Sequence, residues 1–245
     1  MNRPCAVLSM LAAMGVIAVV TPSLAEPRAV VELFTSQGCS SCPPADKLVG
    51  ELAADRAFIV MSLPIDYWDY LGWKDTLAQP RHTARQRGYA AKRGDREVYT
   101  PQVVVNGVAQ VLGSDRSAIE DAARTVRRNA AASVPVTLTV QPNHIEISVA
   151  SVAKADVGGE VWLCGIAKSI PVIIKRGENR GRTITYHNVV RRWVRLGVWS
   201  GESQSWSLSK SELAQDGVDS IAVLVQSGSI ESPSAILGAA AVPIH

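Results

Sequence analysis

The sequence predicts an α/β domain over residues 26–132, followed by an all-β, sandwich-like domain over residues 133–245. Three observations carry that expectation. Before about Ala130, short apolar runs alternate with stretches of helical spacing, the pattern of a sheet interleaved with helices. After Val134, strand-like runs follow one another at short intervals, with Gly, Pro, Asn and Asp between them. The chain has 245 residues, enough for one large core or two small ones.

The first element in order is an address. One positive charge at Arg3 precedes an uncharged apolar run from Ala6 to Val20. Thr21-Pro22 breaks the run, and Ser23-Leu24-Ala25 sets small residues where a signal peptidase cuts. An uncleaved anchor is the alternative, but the run is shorter than the ~20 residues that span a bilayer. The expectation is a signal peptide over 1–25, a secreted and periplasmic destination, and no stable membrane insertion after cleavage. A net charge of +3 with no basic block does not suggest a nucleic-acid partner.

Arg28 to Thr35 then reads as a short apolar strand. Pro43 to Asp55 has helical spacing, with Ala45, Leu48 and Leu52 on one face. Ala57 to Ile65 is a second apolar strand, and Gln79 to Arg93 is a polar, basic helix whose Arg81, His82, Arg85 and Arg87 suit a solvated face. Gln102 to Leu112 is two strands around Asn106-Gly107, the two-residue hairpin signal. Ser114 to Ala131 is an amphipathic helix capped by Ser114 or Asp115, with Ile119, Ala122, Ala123 and Val126 inward. Residues 66–97 form an insertion between the second strand and the hairpin. Its first part, Asp66 to Trp73, carries Tyr67, Trp68, Tyr70 and Trp73. Those aromatics either anchor the loop to its own core or form a recognition surface.

Beyond Val134 the candidate strands are Val136–Val140, Ile145–Val149, Val161–Ala167, Val172–Lys175, Thr183–Leu196, Gln204–Leu208, Ile221–Gln226 and Ala235–Val242, with one helical turn in Ser209–Asp216. Trp162, Trp193, Trp199 and Trp206 are placed to fill the core of this half. Cys164 reads as a buried free thiol.

The chemistry concentrates at Cys39-Ser40-Ser41-Cys42. A C-x-x-C directly after a strand and before a helix sets the first cysteine at a helix N-terminus, where the backbone dipole favours the thiolate. The second, one turn on, can resolve a mixed disulfide. Pro43 and Pro44 suit a first helical turn, which needs no N–H partner. A single C-x-x-C supplies only two metal ligands, and no second pair accompanies it.

Tyr99-Thr100-Pro101-Gln102, ahead of the hairpin, together with the C-x-x-C resembles thioredoxin-fold proteins, and the closing segment resembles glutaredoxins. The resemblance implies a thioredoxin-like first domain. It also implies a cis Thr100-Pro101 bond facing the cysteines, with Pro101 shaping the site and Thr100 offering backbone groups to substrate. A trans proline opening an edge strand is the plain alternative. Gly113-Ser114-Asp115 is similar to the glutaredoxin stretch that contacts glutathione, and equally to any capped helix start. Glu32, in a strand expected to be central, has two readings: a buried acid beneath Cys42 that moves its proton, as thioredoxin-like proteins often carry, or a strand-end partner for an arginine.

The segment from Val31 to Asp46, together with Arg176 to Arg182 and Tyr186 to Arg191, resembles a secreted bacterial thioredoxin-like family of unknown function (domain of unknown function 1223). The resemblance spans nearly all of the chain after residue 25. It implies the two-part architecture and a secreted address, and supplies no substrate.

The function expected is a periplasmic thiol–disulfide oxidoreductase or redox chaperone. Cys39 attacks, Cys42 resolves, Pro101 and Glu32 support them, and Thr100, Trp68, His187 and Arg191 contact a protein or small thiol/disulfide substrate. No organic cofactor is implied, because the dithiol carries the electrons. Two rivals stand beside it. One is a soft-metal assembly protein holding Cu(I) at the cysteines with His82 or His187 as third ligand. The other is a non-catalytic envelope module with a permanent structural disulfide.

Overall fold

The computed structural model describes residues 27, 29–129, 133–153 and 158–244; residues 1–25, expected to be a signal peptide, lie outside them. Among the described residues, no helix is long and apolar enough to cross a membrane. The first half runs β1 (Ala29–Thr35), α1 (Pro43–Leu52), β2 (Phe58–Pro64), α2 (Pro80–Arg93), β3 (Gln102–Val105), β4 (Ala109–Leu112) and α3 (Arg116–Asn129). Every residue of β1 is buried, because it pairs parallel with β2 on one side and antiparallel with β3 on the other. Its even positions Val30 and Phe34 face α2, while Val31 and Leu33 face α1 and α3. Asp115 caps α3 by accepting the Ala118 N–H at 2.9 Å. The β3–β4 loop has three residues rather than two, since Val105 faces Ala109. Asn106 is drawn out of the turn by long-range bonds: its side chain accepts the Val30 N–H at 2.7 Å and its carbonyl accepts from Ile236.

The second half supplies β5 (Val136–Val140), β6 (His144–Val149), β7 (Gly159–Ile173), β8 (Thr183–Trp199), β9 (Gln204–Ser209), α4 (Lys210–Leu213), β10 (Ser220–Gly228) and β11 (Pro233–Pro243). The two strands expected at 161–167 and 172–175 are one strand of 15 residues, β7. β10 pairs with Glu160–Ile166 alone, so the later part of β7 has a free edge that tolerates Pro171.

The expected fold class, an α/β thioredoxin-like domain followed by a separate all-β sandwich, is overturned. Strand makes up 44% of the structure and helix 21%, and eight strands from both halves form one mixed sheet in the order β11-β10-β7-β8-β2-β1-β3-β4. The join is β2 to β8, parallel, with Ser62 opposite Val189. β5, β6 and β9 form a second, small sheet, which packs Ile145, Ile147 and Val149 on Val161, Leu163 and Val223 of the large one. The opposite face carries one core across the join: Phe34, Met61, Leu63 and Tyr89 pack with Trp162, Cys164, Val190 and Trp193. Those two tryptophans therefore fill the shared core under α2, and only Trp199 and Trp206 belong with the small sheet. Local hydrophobic periods mark strands but not their neighbours, so the continuous sheet left no trace in them.

The α2 face is also corrected. Arg81 and Arg87 are exposed, but His82 and Arg85 are fully buried. Arg85 Nε donates to Glu32 at 2.7 Å, its Nη2 reaches Tyr89 and Gln226 at 2.8 Å each, and the guanidinium lies 4.8 Å from the Trp193 ring centre. Burial opposes its charge, but Glu32 and Tyr89 outweigh burial and raise the Arg85 pKa.

Candidate active site

β1 ends at Thr35, and the loop that follows turns back into α1. Cys39 and Cys42 in that loop are joined by a disulfide, with Cα atoms 5.4 Å apart. The cap of α1 is Cys42 rather than Cys39, so the first cysteine sits one turn ahead of the helix. Pro43 and Pro44 bring no N–H, and the amides of Ala45 and Asp46 both donate to the Cys42 carbonyl. Cys42 is wholly enclosed and Cys39 is 3% exposed, while Ser40 and Ser41 are open to solvent. Cys39 is thus the sulfur nearer to an incoming group.

Thr100-Pro101 is cis and lies beside the pair. Ser41 Oγ is 3.4 Å from both Cys39 Sγ and the Thr100 carbonyl, an ordinary length towards sulfur and a long one towards oxygen. Its single proton serves one of them at a time. Trp68 Nε1 donates to Thr100 Oγ1 at 2.7 Å, and Tyr70, 76% exposed, stacks on the Trp68 ring with centres 6.1 Å apart. Tyr67 and Trp68 pack against the core under α2, so anchoring and display divide this stretch between them. Gly113 donates to the Pro101 carbonyl at 2.9 Å. A Cβ there would meet Leu33 at 2.8 Å and Pro101 at 3.0 Å, which explains the glycine.

Glu32 is not the acid beneath the cysteines. It lies in mid-strand on the α2 side, bound to Arg85 and, at 2.5 Å, to the Tyr89 hydroxyl. On the α1 side the acid is Asp46, four residues after Cys42 and hence on the same helix face. It is 2% exposed. One oxygen accepts the Thr35 hydroxyl at 2.7 Å; the other has no partner. Burial pushes its carboxyl up to about 7, against the pull of the Thr35 bond, and Asp75 adds repulsion. Asp75 accepts the N–H groups of Gln37, Leu77 and Ala78 and burial carries it to about 6 despite those bonds. The Tyr186 hydroxyl of β8 is buried without a partner, and burial, then Asp46 and Asp75, raise its pKa.

His187 and Arg191 stand elsewhere. The His187 ring lies against Gly50, eight residues along α1 from Cys42 and so ~12 Å down the helix. Arg191 lies by the start of α2, its carbonyl accepting from Gln79 at 3.1 Å. The second half reaches the cysteines instead through Asn179, in the β7–β8 loop. Its buried Nδ2 donates to the carbonyls of Gln37 at 3.0 Å and Cys39 at 2.8 Å. Nothing in the sequence distinguishes Asn179 from the other polar residues of that loop. Asp46 had a signal that was passed over, its spacing of four from Cys42.

His82 uses both ring nitrogens internally, with Pro64 at 3.0 Å and Trp193 at 3.3 Å. Burial lowers its pKa to about 3. Among the described residues no three metal-binding side chains converge. A cavity lined by Asp55, Phe58, Glu120, Arg124, Arg127 and Arg128 sits at the far end of β2 from the cysteines and shares no residue with them.

Residues 30–226 match the model of a family described as "Protein of unknown function (DUF1223)". The chain is also similar to a solved structure, the X-ray crystal structure of protein AGR_C_4864 from Agrobacterium tumefaciens, a structural-genomics target. Identity is 32% over 90% of this chain and 96% of that one, with a TM-score of 0.79. No curated protein matches. With the family model spanning most of its length, this chain belongs to the DUF1223 family.

Proposed function

We propose that the protein is a thiol–disulfide exchange protein working through Cys39 and Cys42, secreted to the periplasm. The observation that carries this is the Asp46 carboxyl, buried and half unpartnered, one turn behind a bridged cysteine pair. A permanent bridge needs no such group, whereas exchange needs a place for the Cys42 proton.

In one direction, the Cys39 thiolate attacks a sulfur of a substrate disulfide. The Cys39–substrate S–S bond forms, the substrate S–S bond breaks, and the departing thiolate takes a proton from water. Cys42 then gives its proton to Asp46 and attacks Cys39 Sγ, which closes the protein bridge and expels the second substrate thiolate. The substrate gains two electrons and the cysteine pair loses them. Run backwards, the same steps oxidise a substrate dithiol. Ser41 offers its hydroxyl proton to the Cys39 thiolate whenever it leaves the Thr100 carbonyl.

The rival that keeps an observation on its side is the structural disulfide, favoured by the near-complete burial of both sulfurs. Trapping separates them. With Cys42→Ser, a disulfide substrate leaves a stable mixed disulfide on Cys39; Cys39→Ser gives none. Failure of Cys42→Ser to trap any disulfide reagent would remove the exchange reading.

A further inference from the structure

The β7–β8 loop holds a concentration of charge beside the disulfide. Lys175, Arg176, Arg180 and Arg182 are all exposed, and Lys74 faces solvent nearby. The acids among them are Glu178, the half-buried Asp69 and the buried Asp75, which turns inward to the Gln37 N–H. None of the five cations belongs to an ion pair among the described residues. The loop is fixed there from several sides. Asn179 holds the backbone of Gln37 and Cys39, and Arg182 Nη1 donates to Asn179 Oδ1 at 3.2 Å. Gly177 lies against Trp73 and the Leu71 carbonyl. Trp73 in turn donates to Gln37 Oε1 at 2.8 Å.

Two features adjoin this loop across residues 37–42. One is the exposed Tyr70–Trp68 stack beside Thr100. The other is the poverty of donors at the start of α1, where two prolines and two used amides leave the helix little to offer a thiolate. Positive charge beside a cysteine favours its thiolate, and a cationic surface steers an oppositely charged partner.

We propose that the β7–β8 loop is a cationic collar that steers an acidic polypeptide segment onto Cys39, with the Trp68–Tyr70 ledge receiving an apolar side chain of the same segment. The proposal rests on the exchange reading above and names its substrate class. Charge attracts the segment over about one Debye length, roughly 8–10 Å at ordinary salt, and the aromatic pair gives the short-range contact.

The test uses the reduced full-length protein. It is mixed with two synthetic cystine peptides of equal length, flanked by Glu or by Lys, with the small anionic disulfide dithiodipropionate, and with an excess of the neutral linear disulfide bis(2-hydroxyethyl) disulfide. Closure of the Cys39–Cys42 bridge is followed by mass. At low salt the Glu peptide reacts at least tenfold faster than the Lys peptide, and the ratio shrinks towards one in 1 M salt. The variant Lys175→Gln/Arg176→Gln/Arg180→Gln, which leaves Asn179 and Arg182 in place, brings the ratio within about twofold and slows the neutral hydroxyethyl disulfide far less than it slows the Glu peptide. Tyr70→Ala slows the Glu peptide and not dithiodipropionate. Equal rates for the two peptides, with hydroxyethyl disulfide still reacting, would overturn the collar alone. Dithiodipropionate matching the Glu peptide would overturn the polypeptide assignment. No reaction with any disulfide would overturn the exchange reading and the collar with it.

Discussion

Asp46 carries the most specific chemistry of any single residue here. With its carboxyl near 7, Asp46→Asn should slow bridge closure at pH 7 by about a hundredfold and abolish an inflection near that pH. An unchanged profile would leave Asp46 with a packing role only. The same residue sets a slope in stability. As pH rises from 3.8 to about 7, the folded protein keeps a proton that the unfolded chain has released, so stability falls across that window by on the order of a few kcal/mol. Asp46→Asn should flatten that fall in denaturant titrations at pH 5 and pH 8. His82 acts with the opposite sign. Its depressed pKa, about 3, means that stability is lost as pH falls from 6.5 towards 3. At this scale the sequence was legible where the chemistry is local: Cys39 and Cys42 stand out by their C-x-x-C spacing, and Pro101 through its resemblance to the proline of thioredoxin-fold proteins. The face taken by Glu32 was not, because β1 is buried on both faces and alternation alone does not say which face α1 covers.

Elements are tied down by a few buried polar contacts. Arg85 pins α2 to β1 through Glu32 and to β10 through Gln226. Arg85→Met leaves the Glu32 charge unpaired and should cost about 3–5 kcal/mol in denaturant unfolding, with part recovered by adding Glu32→Gln. A loss below 1 kcal/mol would mean that water reaches the site. Asn179 does the same for the β7–β8 loop. Asn179→Ala leaves the Gln37 carbonyl without its donor and the Cys39 carbonyl with only the longer bond from the Cys42 N–H, should cost about 1–3 kcal/mol, and should speed reduction of the disulfide by dithiothreitol as the loop loosens. Unchanged reduction would show that the loop does not gate the bridge. The helices of the first half lie within a few residues of their expected bounds, since each has an apolar period and a proline or cap at its start. β7 was split at Lys168–Pro171 because there the strand loses β10 and turns polar on its free edge.

Over the whole molecule, one sheet and one core join the halves. β8 completes the edge of β2, and Trp162 and Trp193 lie under the same helix as Phe34 and Leu63. Thermal unfolding should therefore be a single cooperative transition, and residues 26–129 alone should fail to give a dispersed NMR spectrum, with an open β2 edge and half a core. Two separated transitions would contradict this. None of that continuity lies in local patterns: the apolar period of β8 is the same whether its neighbour is β2 or a sandwich strand, and the composition shift near Ala130 marks a change of element type rather than of domain.

The most direct test of the central claim is the reduction potential of Cys39–Cys42 in the full-length protein. The exchange account predicts a value between about −270 and −120 mV, the span of catalytic dithiols, with both cysteines cycling reversibly. A bridge more reducing than about −300 mV, the range of structural disulfides, would contradict it and leave Cys39 and Cys42 a permanent staple between β1 and α1.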